Sequence, residues 1–269
     1  MAARIGSHSE RLAGLRALLA PRGRRERRRF LFEGPTQLAE AAAAGYPVEE
    51  VYATQAAYEA TPLVRDLEAS GTPAFIVEDA AARRISDVTT PSGIVAVAPV
   101  RLTGVADLFR EGSPILVLAD LNDPANAGTL LRSADAFGCP GVLFGRLGVD
   151  PYHPKVVRGS MGAVFRLALA VSAPPEAASA AARAGVRMVG LAAVGLPIAE
   201  EPWEQPIGLV VGHERRGLGP WEPLCERTVA IPMTGAAESL NAAVAGSIAL
   251  YEASRRPPNK NAVNRVSDP

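Results

Sequence analysis

"ILVLADLNDPANAGTLLRSADAFGCPGVLFG", residues 115–145, is the stretch from which the fold can be read. An apolar run, Ile115–Ala119, meets a polar turn; a helical pattern covers 126–137, and a second apolar run, "GVLFG", follows. Strands that are continuously apolar, rather than alternating, are buried on both faces, and a helix between two of them is the crossover of a parallel sheet. Asn126 stands where a cap for that helix is expected.

The same alternation extends in both directions. Downstream come a short helix near 155–162, "FRLALA", a helix over 175–184, "VRMVGLAA", "IGLVVG", a short helix after Pro220, "TVAIP" and a closing helix over 241–255. Upstream, "RFLFEG", "VEEVYAT", "PAFIVE" and "GIVAVAPV" read as strands, separated by helical "PTQLAEAAAAG", "TPLVRDLEASG" and "DAAARRIS". Ser7 with Glu10 resembles a capping box ahead of Leu12, Leu15, Leu18 and Leu19. Residues 101–113 look like a linker. The expected organisation is a basic N-terminal arm with a small α/β domain over 1–105, a larger parallel α/β domain over 106–256, and a disordered tail over 257–269.

Composition narrows the function by exclusion. The longest apolar stretches are far too short to span a bilayer, and the N-terminus is polar and basic, without the apolar core of a secretory signal. Cys139 and Cys225 are the only cysteines, which supports neither a disulfide framework nor a zinc site. His8, His153 and His213 fall into no spacing that suggests a metal or a Ser-His-Asp triad, so no metal is expected. A reduced, cytoplasmic setting follows. Lys and Arg balance Asp and Glu at 28 each, yet residues 1–30 hold nine arginines against Glu10 and Glu26. The run "RGRRERRR" at 22–29 suits a polyanion, because guanidinium pairs bidentately with phosphate; a solvated tail is the plain alternative.

Parallel α/β sheets bind ligands beyond the carboxyl ends of their strands. Three loops there are rich in functional groups. "DPANAGTLLR", 123–132, offers Asn126 and Arg132. "VVGHERRGLGP", 210–220, runs a strand into Gly212, Glu214 and Gly217. "AIPMTGAAESLN", 230–241, places Ser239 and Asn241 together, more caps than one helix start requires.

Taken together, D-P-x-N-x-G-x-x-x-R at 123–132, G-x-E-x-x-G-L at 212–218 and I-P-M-x-G-x-x-x-S-L-N at 231–241 resemble the three ordered motifs of the SpoU (TrmH) family of RNA 2′-O-ribose methyltransferases, in the SPOUT superfamily. "RFLFEGPTQLAEAAAAG" and "TTPSGIVAVAPV" resemble the start and end of that family's small substrate-binding domain. The resemblance implies a SPOUT-type parallel sheet with a deep trefoil knot, a homodimer, and S-adenosylmethionine bound by Leu191, Ala192, Gly212, Ile231, Met233 and Leu240. It implies catalytic roles for Asn126, Arg132, Glu214, Ser239 and Asn241. The acceptor it implies is RNA, since DNA lacks a 2′-OH. Large-subunit ribosomal RNA is favoured by the extra N-terminal domain, whether for housekeeping or antibiotic resistance. Arg24, Arg25, Arg28 and Arg158 are candidate phosphate contacts. Two other readings stand beside this one: a transfer-RNA 2′-O-methyltransferase, and a non-catalytic RNA-binding or ribosome-assembly factor of the same fold.

Overall fold

A computed structural model describes residues 2–6, 9–213, 215–236 and 239–255. The chain divides into two compact units. One holds the chain up to Arg101 together with Asp150–Arg166; the other holds Leu102–Val149 and the chain from Leu167.

The first unit runs β1 (Ala3–Ile5), α1 (Glu10–Ala17), α2 (Pro21–Arg27), β2 (Arg29–Glu33), α3 (Pro35–Ala43), β3 (Glu50–Ala53), α4 (Gln55–Ala60), α5 (Pro62–Ala69), β4 (Ala74–Val77), α6 (Asp79–Ile85) and β5 (Ile94–Pro99). Its sheet has the order β1-β4-β3-β5-β2. The first three strands are parallel, and β5 runs antiparallel to β3 and β2. Leu31, Tyr52, Val95 and Val97 from the sheet pack with Leu12, Leu15 and Leu18 and with Ala81 and Ile85 of α6. Burying each large apolar side chain in this way contributes roughly 1.5–3 kcal/mol.

Here the sequence reading needs correction at three places. Ser9, not Ser7, caps α1, accepting from the Leu12 N–H; Ser7 lies outside the described residues. The segment before Pro62 forms a helix of its own, α4, capped by Thr54. The arginine run is neither tail nor simple phosphate surface but helix α2, with Pro21 in its first turn. Arg24 is only 2% exposed. One guanidinium nitrogen donates to the Leu18 and Leu19 carbonyls at 3.0 and 2.9 Å, and Nε donates to Asp150 Oδ2 at 2.8 Å. A side chain engaged in this way is withdrawn from any RNA, so Arg24 leaves the set of candidate phosphate contacts. The pairing with Asp150 and the two carbonyls offsets the cost of burying this guanidinium, whose other terminal nitrogen has no hydrogen-bond partner among the described residues.

The second unit opens with α7 (Val105–Leu108), β6 (Ile115–Leu118), α8 (Pro124–Ala136) and β7 (Gly141–Gly145). Asp150–Arg166, with α9 (Pro154–Gly159) and α10 (Ala163–Arg166), groups with the first unit, although the chain order sets it within the span expected for the larger domain. The second unit then resumes with β8 (Ala168–Ser172), α11 (Pro174–Arg183), β9 (Arg187–Pro197), β10 (Ile207–Val211), β11 (Arg227–Ala230) and α12 (Ala242–Ser254).

All six strands of this unit are parallel, in the order β11-β9-β10-β6-β7-β8. β6 is central, and its four residues are at most 1% exposed, as a doubly covered strand requires. On one face Ile115 and Val117 join Leu143, Val210, Met188, Trp221 and the alanines of α11. On the other, α12 packs against α8. Gly246 makes that approach possible: a Cβ there would lie 2.6 Å from Leu130 Cδ2 and 3.2 Å from Val211. The β6–β10 neighbours mark where strand order reverses, which sets the loops after these strands around one crevice.

Candidate functional site at the carboxyl ends of the strands

The first loop starts at Asp120, two residues past the end of β6, in the left-handed conformation, φ 51°. Its carboxylate offsets that strain with two bonds: Oδ1 accepts from the Leu147 N–H at 3.0 Å and Oδ2 from the Trp221 indole at 2.9 Å. The second loop is tied in by Asn122, which, with its amide oriented to satisfy both neighbours, accepts from Arg216 and donates to the Leu147 carbonyl, each at 3.2 Å.

Asp123, not Asn126, caps α8; its side chain accepts from the Ala125 N–H at 2.8 Å, with Pro124 as the first helical residue. Asn126 is thereby released from capping. It sits in the first helical turn, 7% exposed, and its Oδ1 accepts from Asn241 Nδ2 at 2.9 Å. The Asn241 oxygen in turn caps α12, accepting from the Ala243 and Val244 N–H groups at 2.9 and 3.2 Å. One side chain therefore joins the first loop to the third. Arg132 is exposed, and no side-chain hydrogen bond or ion pair engages it among the described residues.

β9 contributes an irregularity that periodicity could not reveal. β11 pairs Thr228 with Gly190 and then Val229 with Leu196, so residues 191–195 are skipped on that edge. The released backbone of Leu191, Ala192 and Ala193 forms one wall of a cavity of about 330 Å³. Gly212, His213, Arg215 and Gly217 form a second wall, and Ile231, Met233, Ser239 and Leu240 a third, closed by Ala242 and Ala245 of α12. The second wall is a tight hairpin. His213 and Gly217 exchange both backbone hydrogen bonds at 2.9 Å. A Cβ on Gly212 would lie 2.4 Å from the Gly217 backbone, and Gly217 itself adopts φ 60°, so glycine is required at both ends of the turn.

The structure thus brings all six residues expected to hold the cofactor around one cavity, adds Ser239 to its lining, and sets Asn126 and Asn241 side by side. Arg132 lies off the cavity lining, and Glu214 lies outside the described residues. Of the arginines, Arg25 and Arg28 are exposed, while one guanidinium nitrogen of Arg158, Nη1, donates to both carboxylate oxygens of Asp87 at 2.9 and 2.8 Å. Sequence reasoning passed over Ala193, His213, Arg215 and Ala245; the two polar ones stand inside the quoted second loop, but nothing in their spacing distinguished cavity wall from solvent.

The lining suits an elongated, mostly apolar ligand carrying a few polar groups: backbone and small side chains on two walls, Arg215 and His213 on the other. Thiolate chemistry is poorly served by either cysteine. Burial pushes the Cys139 thiol up to about 12, and burial together with the charge of Glu222 pushes Cys225 up to about 11. Among the described residues no cluster of His, Cys, Asp and Glu is arranged to hold a metal ion, and no helix is long and apolar enough to cross a membrane.

Residues 113–251 match the SpoU rRNA Methylase family and residues 10–96 the MRM3-like substrate binding domain. A 23S rRNA (uridine(2479)-2′-O)-methyltransferase of Streptomyces viridochromogenes is 33% identical over 95% of this chain and 93% of its own length. The 23S rRNA (guanosine(2553)-2′-O)-methyltransferase RlmP of Bacillus subtilis is 30% identical over 82% of this chain and 87% of its own. The solved structure of the SpoU methyltransferase AviRb from Streptomyces viridochromogenes, in complex with the cofactor AdoMet, superposes with a TM-score of 0.83 at 30% identity, covering 92% of this chain and 98% of that one.

Proposed function

The chain belongs to the SpoU rRNA methylase family, and we propose that it transfers a methyl group from S-adenosylmethionine to a ribose 2′-OH in large-subunit ribosomal RNA, working as a cytoplasmic homodimer. The observation that carries this reading is the cavity that gathers the end of β9 and the second and third motif loops at the strand ends, with Asn126 of the first motif hydrogen-bonded to Asn241 of the third.

The residues present fit the cofactor. The walls from β9, Gly212, Ile231 and Leu240 offer apolar surface and backbone groups to a purine, and the glycines at 212 and 217 let the hairpin of the second wall close tightly beside it. When bound, S-adenosylmethionine supplies a methyl group on a sulfonium, already a good leaving group. What the protein must supply is alignment and charge stabilisation for a weakly nucleophilic hydroxyl. Arg132 is suited to charge stabilisation. Its guanidinium stays protonated, so it cannot serve as base, but it can bind the neighbouring phosphate and the developing alkoxide. Asn126, Ser239, Asn241 and Glu214 are assigned to orienting ribose and cofactor, the Asn126–Asn241 pair fixing the first loop against the third.

Helix geometry sets Arg132 about 9 Å along α8 from Asn126 and about 120° around it. That separation supports a site completed across two subunits. Arg132 precedes Ser133, whose hydroxyl lies 2.7 Å from that of Ser247 on α12. Val244, Ile248 and Tyr251, 48%, 36% and 47% exposed, recur at i, i+4 and i+7 on α12, an apolar stripe of the kind a second copy covers. The trefoil knot belongs to the same proposal; β11 pairing beyond β9 before the chain returns to α12 is the order of elements that threading needs. Arg25, Arg28 and Arg158 are the remaining candidate RNA contacts.

The test is transfer of labelled methyl from S-adenosylmethionine into separated ribosomal and transfer RNA, with Arg132→Ala alongside. Label in large-subunit RNA, mapped to a ribose resistant to alkaline cleavage and absent with the variant, is the expected result. RNA binding without transfer to any substrate would support a non-catalytic ribosome-assembly role, and label confined to transfer RNA would reassign the acceptor.

A further inference from the structure

Arg215 lines the cavity, and the assignments above give it no role. We propose that Arg215 binds the carboxylate at the methionine end of S-adenosylmethionine and thereby sets which way round the cofactor lies. The proposal rests on the methyltransferase reading.

Three observations carry it. The first is placement. The hairpin between His213 and Gly217 is closed by two backbone hydrogen bonds of 2.9 Å, and the Arg215 N–H donates to His213 Nδ1 at 3.1 Å. The side chain of Arg215 therefore starts from a fixed point on the cavity wall. The second is availability. No hydrogen bond or ion pair engages the Arg215 guanidinium among the described residues. Arg216, the next residue, is by contrast engaged by Asn122.

The third is charge. Among the described lining residues Arg215 is the one permanent charge; the rest are apolar or glycine, apart from His213 and Ser239. S-adenosylmethionine carries one anionic group, the carboxylate, and two cationic ones, the ammonium and the sulfonium. A guanidinium on one wall attracts the first, in the planar two-pronged geometry that suits it, and repels the other two. The adenosine end needs no charge partner and falls to the walls built from Leu191, Ile231 and Leu240. Arg215 thus contributes orientation as well as affinity.

The discriminating experiment is calorimetric titration of the full chain with three ligands: S-adenosylmethionine, S-adenosylhomocysteine and 5′-methylthioadenosine, which keeps adenosine and sulfur but has no carboxylate. Wild type, Arg215→Gln and Arg215→Lys are compared, with melting curves as the control for folding. Loss of a hydrogen bond to a charged group predicts a weakening of about tenfold or more for the first two ligands in Arg215→Gln, with methylthioadenosine unchanged and Arg215→Lys between the extremes. Equal weakening of all three, or of none, overturns the assignment. So does an unchanged cofactor affinity with weakened RNA binding, which would make Arg215 a phosphate contact. Failure of wild type to bind any of the three would overturn the methyltransferase reading itself, a result distinct from a variant-specific loss.

Discussion

Asn241 donates to Asn126 across 2.9 Å while its oxygen caps α12, so the start of the last helix and the first turn of α8 are fixed by a single amide. An amide is the side chain that can do both, because it carries a donor and an acceptor on one plane. The two asparagines are 115 residues apart in sequence, and this bond is what makes two motifs one site.

Asn241→Asp separates the two roles. Aspartate caps as well as asparagine, so stability in denaturant should stay within about 1 kcal/mol of wild type. Its carboxylate has no hydrogen to give Asn126, and single-turnover methyl transfer should fall about 100-fold through misalignment. Asn241→Ala should lose the cap as well, at about 1 kcal/mol. Full activity in the aspartate variant would remove Asn126–Asn241 from the catalytic account.

Gly212→Ala forces a Cβ to within 2.4 Å of the Gly217 backbone, where no flexible side chain can yield. The hairpin must open, and with it the second wall of the cavity. S-adenosylmethionine affinity is expected to drop at least tenfold, with a stability cost of about 1–3 kcal/mol from the displaced backbone. Titration of the cofactor into the folded variant measures the first, and denaturant unfolding the second.

The arginines of α2 and its cap divide by burial. Arg24→Gln removes a buried charge that holds Asp150 and two carbonyls, and should cost about 3–5 kcal/mol in unfolding experiments. Arg25→Ala and Arg28→Ala should leave stability within about 0.5 kcal/mol. Each should instead reduce the slope of log affinity for RNA against log salt by about 0.7–0.9. A slope unchanged in both would move the phosphate contacts elsewhere.

The larger sheet was legible because a doubly covered strand such as Ile115–Leu118 carries its own signature, and the three loops stood out because their polar residues follow directly on apolar runs. The cap of α8 was misread: Asp123 and Asn126 are both good caps, and only the geometry at Pro124 decides between them. The skip at 191–195 in β9 has no local signal, since both flanks are ordinary strand. Arg24 looked like its neighbours in a run of like charges; what buries it is Asp150, 126 residues away. Long-range pairings of this kind set the site's fine structure, and they are the part that local patterns do not encode.

His153 provides a pH test of the first unit. It caps α9 by accepting the Lys155 N–H at Nδ1, 3.1 Å away, and burial, reinforced by the charge of Arg24, holds its pKa below the usual 6.5. A proton on Nδ1 would remove the acceptor and end the cap. The unfolded chain binds that proton more readily than the folded one, so His153 contributes its full stability above about pH 6.5, and the contribution is lost as pH falls through that value toward the lower folded pKa. Asparagine caps without titrating. His153→Asn should therefore match wild type within about 1 kcal/mol at pH 7.5 and lose less melting temperature than wild type between pH 7.5 and 5.5. Parallel losses in the two proteins would show that the acid sensitivity of this unit does not arise from the His153 cap.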